Sequence, residues 1–175
     1  MPNPDSQIAV AGATPLASSE LAAFLGIDKG MMIETIKAQC FKNSKPGEIT
    51  DAQLASFISI ANVLKLNPLV PGMLYAYPDR GAITPMIGPD GVFKLLSSHP
   101  EIASWETETF PLDPAQHVTH ATCKIWRKGV ERPVIYTAVY AEWKVGTNPN
   151  WVTRPRHMLG IRALKQAARQ LIHGL

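Results

Sequence analysis

The sequence predicts an α+β fold: a β-hairpin and a three-stranded antiparallel β-meander packed with helices, closed by a long basic C-terminal helix. Three observations predict it. Apolar residues recur at helical spacing through 28–41, 51–65 and 155–172. Two short β-rich runs flank the turn sequence Pro78-Asp79-Arg80-Gly81. Three further runs, rich in Val, Thr, Ile, Tyr and Trp, follow one another between 104 and 143. The 175 residues are 46% apolar and only 18% charged, against about 25% charged in an average chain. That balance excludes a wholly disordered protein. A length near 175 residues makes one domain the default.

The elements follow in order. Residues 1–17 are Pro-, Ala- and Ser-rich and aperiodic and read as a disordered tail, leaving 18–175 as a single domain. Ser18 or Ser19 caps a short helix to about Leu25. Asp28 opens a second helix, with Met32, Ile33, Ile36 and Cys40 at 3.6 spacing, and 42–48 is a loop. Thr50-Asp51-Ala52-Gln53 is a capping box that starts a helix to about Lys65, its apolar face formed by Leu54, Phe57, Ile58, Ala61 and Leu64. Asn67-Pro68 stops it. Residues 73–77 and 82–87 form the hairpin, and Gly88-Pro89-Asp90-Gly91 starts a helix closed by His99-Pro100. The meander strands are expected at 104–110, 117–127 and 133–143, with Lys128-Gly129-Val130 in the second turn. After a loop through Asn148-Pro149, the last helix starts at Pro155, which fits a first helical turn, and ends before Gly174.

The net charge of +3 hides an asymmetry. Between Lys124 and Leu175 stand ten basic residues against Glu131 and Glu142, whereas the rest of the chain is net acidic. Such a cationic third points to a polyanion, most often nucleic acid; acidic membranes and acidic proteins stay open on charge alone. Arg162, Lys165 and Arg169 fall within about 60° of one another on a helical wheel and along about 10 Å of axis. Ile161, Leu164, Ala168 and Leu171 form the neighbouring apolar stripe. Lys124, Trp126 and Lys128 alternate on one side of their strand, and cations interleaved with an aromatic suit a single nucleic-acid strand, Trp126 being the candidate stacking platform. The bland alternative makes Trp126 core, with the cations snorkelling at its margin. Trp105, Trp143 and Trp151 also read as core.

Enzyme signatures are missing: the sequence has no GxxxxGK[ST], GxSxG or GxGxxG. The five histidines have no HExxH-type spacing, and the two cysteines, Cys40 and Cys123, form neither a metal motif nor a disulfide framework. The chain therefore reads as a non-enzyme with no cofactor or metal. No apolar run approaches the roughly 20 residues of a membrane helix, and the N-terminal stretch lacks the cationic start of a signal peptide, so a cytoplasmic location is expected.

Several segments together resemble the RecT/Bet family of phage single-strand annealing proteins. They are Leu66-Asn67-Pro68, Tyr75-Ala76-Tyr77-Pro78, Ile83-Thr84-Pro85-Met86-Ile87-Gly88-Pro89-Asp90-Gly91, Cys123-Lys124-Ile125-Trp126-Arg127-Lys128, and Trp151 followed by Pro155-Arg156-His157-Met158-Leu159, Arg162-Ala163, Gln166 and Ala168-Arg169. With the helices at 35–41 and 51–67, the resemblance covers about residues 30–173. It implies ATP-independent binding of single-stranded DNA and annealing to a complementary strand in homologous recombination. It also implies homo-oligomeric rings or helical filaments with single strand and annealed duplex in a positive groove, and work beside a phage exonuclease and the host single-strand binding protein in a bacterial host. The cationic positions carried over are Arg156, Arg162 and Arg169 on the last helix and Lys124, Arg127 and Lys128 on the strand; Arg154 and Lys165 join them from the charge pattern. Two departures stand out. His157 and Gly160 occupy places where the family often has cations, and Pro71-Gly72 replace a loop lysine. Family members continue past the position of Leu175 into a small C-terminal domain for protein partners, which is expected to be absent here. The rival readings are a sequence-specific duplex binder, for which only Gln166 and Gln170 could read bases from the last helix, a metal-dependent nuclease, and a structural assembly protein.

Overall fold

The computed structural model describes residues 28–146 and 148–172. The expected tail, the helix at 18–25 and Gly174 lie outside the described residues. The chain groups into two compact units, one holding the described part of Met1–Leu69 with Tyr75–Pro85, the other Val70–Leu74 with the described part of Met86–Leu175.

The first unit is built from two helices and the Tyr75–Pro85 part of the hairpin. The Asp28 carboxylate accepts from the backbone N–H groups of Gly30 (2.7 Å) and Met31 (3.2 Å) and so caps α1, Lys29–Cys40. Met32, Ile36 and Cys40 recur every fourth residue and are buried. The Cys40 Sγ sits 3.3 Å from the Pro68 carbonyl, and burial pushes this thiol up to about 11. A 3-10 turn, Pro46–Glu48, lies within the expected loop. The capping box holds as read: Thr50 accepts from Gln53 N–H, and the Gln53 side chain accepts from Thr50 N–H at 3.0 Å, starting α2, Asp51–Leu64. Gln53 is the one buried polar side chain among the described residues, and its amide also donates to the Ala82 carbonyl at 2.9 Å. Leu54, Phe57 and Ala61 face the core, where Phe57 meets Phe41 at 5.1 Å between ring centroids. Strands β1, Leu74–Asp79, and β2, Ala82–Ile87, pair as the hairpin. Its turn is shorter than expected, because Arg80 (φ 42°) and Gly81 (φ 86°) alone reverse the chain with the positive φ pair that a tight hairpin uses.

The second unit starts with a close backbone crossing. Gly88 N–H donates to the Met73 carbonyl at 2.9 Å, Gly91 N–H donates to the Gly72 carbonyl at 3.2 Å, and a Cβ on Gly88 would fall on the Gly72 carbonyl. This junction leads into α3, Pro89–Ser98, which buries Val92 and Leu96. Strands β3 (Ile102–Phe110), β4 (His120–Arg127) and β5 (Val134–Val139) form an antiparallel sheet in that order. The register pairs Glu106 with Lys124 and Thr122 with Thr137, and a shift falls between Ile102 and Ser104. The first strand starts earlier than expected, at Ile102, whereas β4 and β5 are shorter than their β-rich sequence suggests. His120 pairs with Phe110 on one side and Val139 on the other, so the ladder ends there and residues beyond have no strand to pair with. The chain after Val139 turns instead into α4, Tyr140–Trp143, and Asn148-Pro149 starts a further short helix, α5, Pro149–Thr153, by a side-chain cap at 3.0 Å.

Helix α6, Pro155–Arg169, lies on the side of the sheet presented by Ala121, Cys123, Ile125 and Ala138, all fully buried. Its buried positions are Leu159, Gly160, Ala163, Leu164, Ala167 and Ala168. The expected stripe is thus rotated: Ile161 and Leu171 are half-buried, and small residues at 160, 163, 167 and 168 bring the helix close to the strands. Opposite, the other sheet face turns Glu106, Glu108, Thr137, Ile135 and Val139 to solvent. The second unit therefore has two layers, helix on sheet, and the whole is α+β as the sequence predicts.

Candidate nucleic-acid interface

The predicted cations fall into three groups. The first is on α6. Arg162, Lys165 and Arg169 lie about opposite the buried stripe by the 100° helical repeat. Arg162 is half-buried, its guanidinium carbon 4.4 Å from the centre of the Trp143 ring. Burial and then Arg169 pull its pKa below the ordinary arginine value, while Tyr136 acts the other way. Lys165 donates its ammonium hydrogen bond to the Ile87 carbonyl at the end of β2. Burial first, then Arg162 and Arg169, hold it below the usual lysine range. The three cations thus repel one another. The groups that fix Arg162 and Lys165 are an indole ring and a peptide oxygen, neither of which carries charge.

The second group is at the start of α6. Arg156 is turned inward: one guanidinium nitrogen donates to Thr109 Oγ1 (3.3 Å) and the Pro111 carbonyl (2.8 Å), the other to the carbonyls of Asp113 and, at 2.9 Å, Gln116. It fastens the loop between β3 and β4 to the helix. Arg154 is exposed in the residue before the helix and, with His117 and His157, borders an open recess beside that loop.

The third group is on β4. Lys124 and Trp126 do share a strand face, as read, but that face is turned away from α6, and the structure does not bring it together with Arg162 and Arg169. The Lys124 ammonium lies 2.7 Å from Glu106 and 3.8 Å from Glu108, and the hydrogen bond to Glu106 raises its pKa. Trp126 is half-buried opposite Ser104. Arg127 is exposed at the strand end, and Lys128 stands in the turn beyond it rather than in alternation with Lys124, its N–H bonded to the Glu101 carbonyl at 2.8 Å.

Sequence reading missed Trp143, taken as core; nothing in the spacing of 143 and 162 signals that a one-turn helix would carry one to the other. Among the described residues, no group of three or more His, Cys, Asp or Glu side chains converges as a metal site. No helix among them is long and apolar enough to cross a membrane.

Two comparisons bear on this arrangement. The RecT family profile matches residues 31–173. The recombination protein bet of Escherichia phage lambda is 28% identical over 154 residues, which are 82% of this chain and 54% of that protein. The chain spans about half the length of that relative. The match includes both meander and basic helix, and on it the chain belongs to the RecT family.

Proposed function

We propose that the chain binds single-stranded DNA through the cationic side of α6 and pairs it with a complementary strand without ATP, as a phage-type homologous recombination protein that makes and breaks no covalent bond. The observation that carries this reading is the cluster of Arg162, Lys165 and Arg169, in which mutual repulsion is tolerated and the groups that fix the partly buried Arg162 and Lys165 are neutral. Clustered positive charge of this kind costs stability unless a polyanion offsets it. Phosphates do so, releasing condensed counterions and giving affinity without sequence preference. Annealing requires that base edges stay available while two repelling backbones are screened, and a grip on the backbone meets both needs. Arg127, Lys128 and Arg154, all exposed, extend the positive surface in this reading; Lys124 and Arg156 are already engaged within the protein.

Family membership supports a recombination role. The reading places the protein in the bacterial cytoplasm as a homo-oligomer, ring or filament, that multiplies weak sites along one strand. An exonuclease that exposes single strand and the host single-strand binding protein are its partners in this proposal. The test mixes complementary fluorescent oligonucleotides with the purified chain in EDTA and without ATP. Pairing faster than the protein-free rate is the expected result. An unchanged rate overturns the proposal, and strand cleavage seen only in a parallel mixture with magnesium in place of EDTA would favour the nuclease instead.

A further inference from the structure

The contact between Trp143 and Arg162 bears on how strand binding works. Trp143 is placed by α4, the single turn that follows β5. That turn is fixed at its first residue: Tyr140 N–H donates to the Thr119 carbonyl at 2.8 Å, its hydroxyl donates to the Trp151 carbonyl at 3.1 Å, and His117 meets its ring edge-on at 4.7 Å. Trp143 therefore stands on a braced element beside α6. Its indole N–H is buried and finds no acceptor among the described residues. What Trp143 offers its surroundings is a ring face, and Arg162 lies over it at 4.4 Å, well within the roughly 6 Å reach of a cation–π contact.

We infer that Trp143 is a positioning residue for strand binding: its ring holds the Arg162 guanidinium in place without neutralising it, so that the side chain meets a phosphate already ordered and fully charged. This deepens the strand-binding reading above and rests on it. Lys124 shows the alternative within the same unit. There a carboxylate 2.7 Å away fixes the cation and cancels its charge. An aromatic ring fixes a cation by its quadrupole and contributes no formal charge, and it leaves the guanidinium N–H groups free of a carboxylate. Ordering the side chain before binding also lowers the conformational entropy lost when the phosphate arrives.

The test is a double-mutant cycle on the full chain. The variants are Trp143→Leu, Trp143→Phe, Arg162→Ala and the two double variants. Binding to an unstructured oligothymidine is read by fluorescence anisotropy across a salt series, with circular dichroism to check folding. Trp143→Leu is expected to weaken binding about threefold to tenfold, the range of a partly desolvated cation–π contact. Trp143→Phe, which keeps an aromatic face but loses the pyrrole part of the indole with its unbonded N–H, is expected to lose less than Leu. Neither substitution should weaken binding further once Arg162 is Ala, because Trp143 acts through that side chain. Unchanged affinity in folded Trp143→Leu overturns the inference. So does a loss that persists undiminished in the Arg162→Ala background, which would make Trp143 a direct contact. If Leu disturbs folding, the Phe cycle decides by the same criterion: a loss that disappears with Arg162 supports the inference, and no loss or a persistent one overturns it. Failure of the wild-type chain to bind any strand is a separate result, since it removes the strand-binding reading itself.

Discussion

Lys124 and Glu106 face each other directly across β3 and β4, with the ammonium 2.7 Å from the carboxylate, on the sheet face turned away from α6. This pairing separates two kinds of cation in one basic segment. Lys124→Ala is therefore expected to leave strand affinity and its salt dependence close to wild type. Arg162→Ala and Arg169→Ala are each expected to weaken binding equally for all sequences and to reduce the slope of log affinity against log salt by about 0.7, one single-strand phosphate each. Salt titrations of the three variants check this. Equal effects at all three positions would remove the distinction.

The family resemblance makes Arg156 a DNA-binding position, and in the structure its guanidinium meets Thr109, Pro111, Asp113 and Gln116. Its truncation should act on stability. Arg156→Ala is expected to cost about 1.5–3 kcal/mol, the range for hydrogen bonds made by a charged group, through loosening of the loop between β3 and β4. Arg156→Lys should restore little, because one ammonium cannot span acceptors that a planar fork reaches. Urea unfolding of both variants measures it.

Lys165 has its pKa lowered chiefly by burial and further by Arg162 and Arg169. A base with a lowered folded pKa is deprotonated in the native state before it is in the unfolded chain. The unfolded state then binds more protons between the folded value and about 10.4, and stability contributed by this group rises with pH across that window. Below the window the cost of the buried ammonium is present in full. Subtracting the pH–stability curve of Lys165→Met from that of the wild type should show an alkaline rise that belongs to Lys165. A flat difference curve contradicts the assignment.

Two glycines of the second unit should respond in opposite directions to alanine. A Cβ on Gly160 would meet the Thr107 and Thr109 methyl groups at 3.6 and 3.7 Å, ordinary contact distances. Gly160→Ala is expected to stabilise by about 0.5–1 kcal/mol through helix propensity alone. At Gly88 the same atom would overlap the Gly72 carbonyl, which is backbone and cannot swing aside. Gly88→Ala is expected to cost about 1–3 kcal/mol or more, as overpacking does. Thermal melts of the pair check both signs.

The parts of the fold legible in the sequence are those governed by local chemistry. Thr50 and Gln53 announce α2, Asp28 announces α1, and Ala82–Ile87 is the strand it reads as, because caps and alternation act over a few residues. Where strands stop is a different matter. Val139 ends β5 because its neighbour β4 begins at His120, a limit set by a partner nineteen residues away. The candidate site divides the same way. The helical repeat placed Arg162, Lys165 and Arg169 together. No periodicity could reveal that Lys124 would meet Glu106, that Arg156 would turn inward to a loop, or that a one-turn helix would set Trp143 under Arg162. Those depend on register and on the path between elements.

Cys40 and Cys123 are the only thiols in the chain; both are buried, and burial raises both above the ordinary cysteine value. A thiol so shielded supplies little thiolate to an electrophile at neutral pH. A maleimide dye offered to the native protein should therefore find almost nothing to react with. A single cysteine introduced at an exposed position, such as Val152 with 68% of its surface open, would take the label alone. Energy transfer from that one site to a tagged oligonucleotide could then follow each strand as it arrives, with the native thiols left in place.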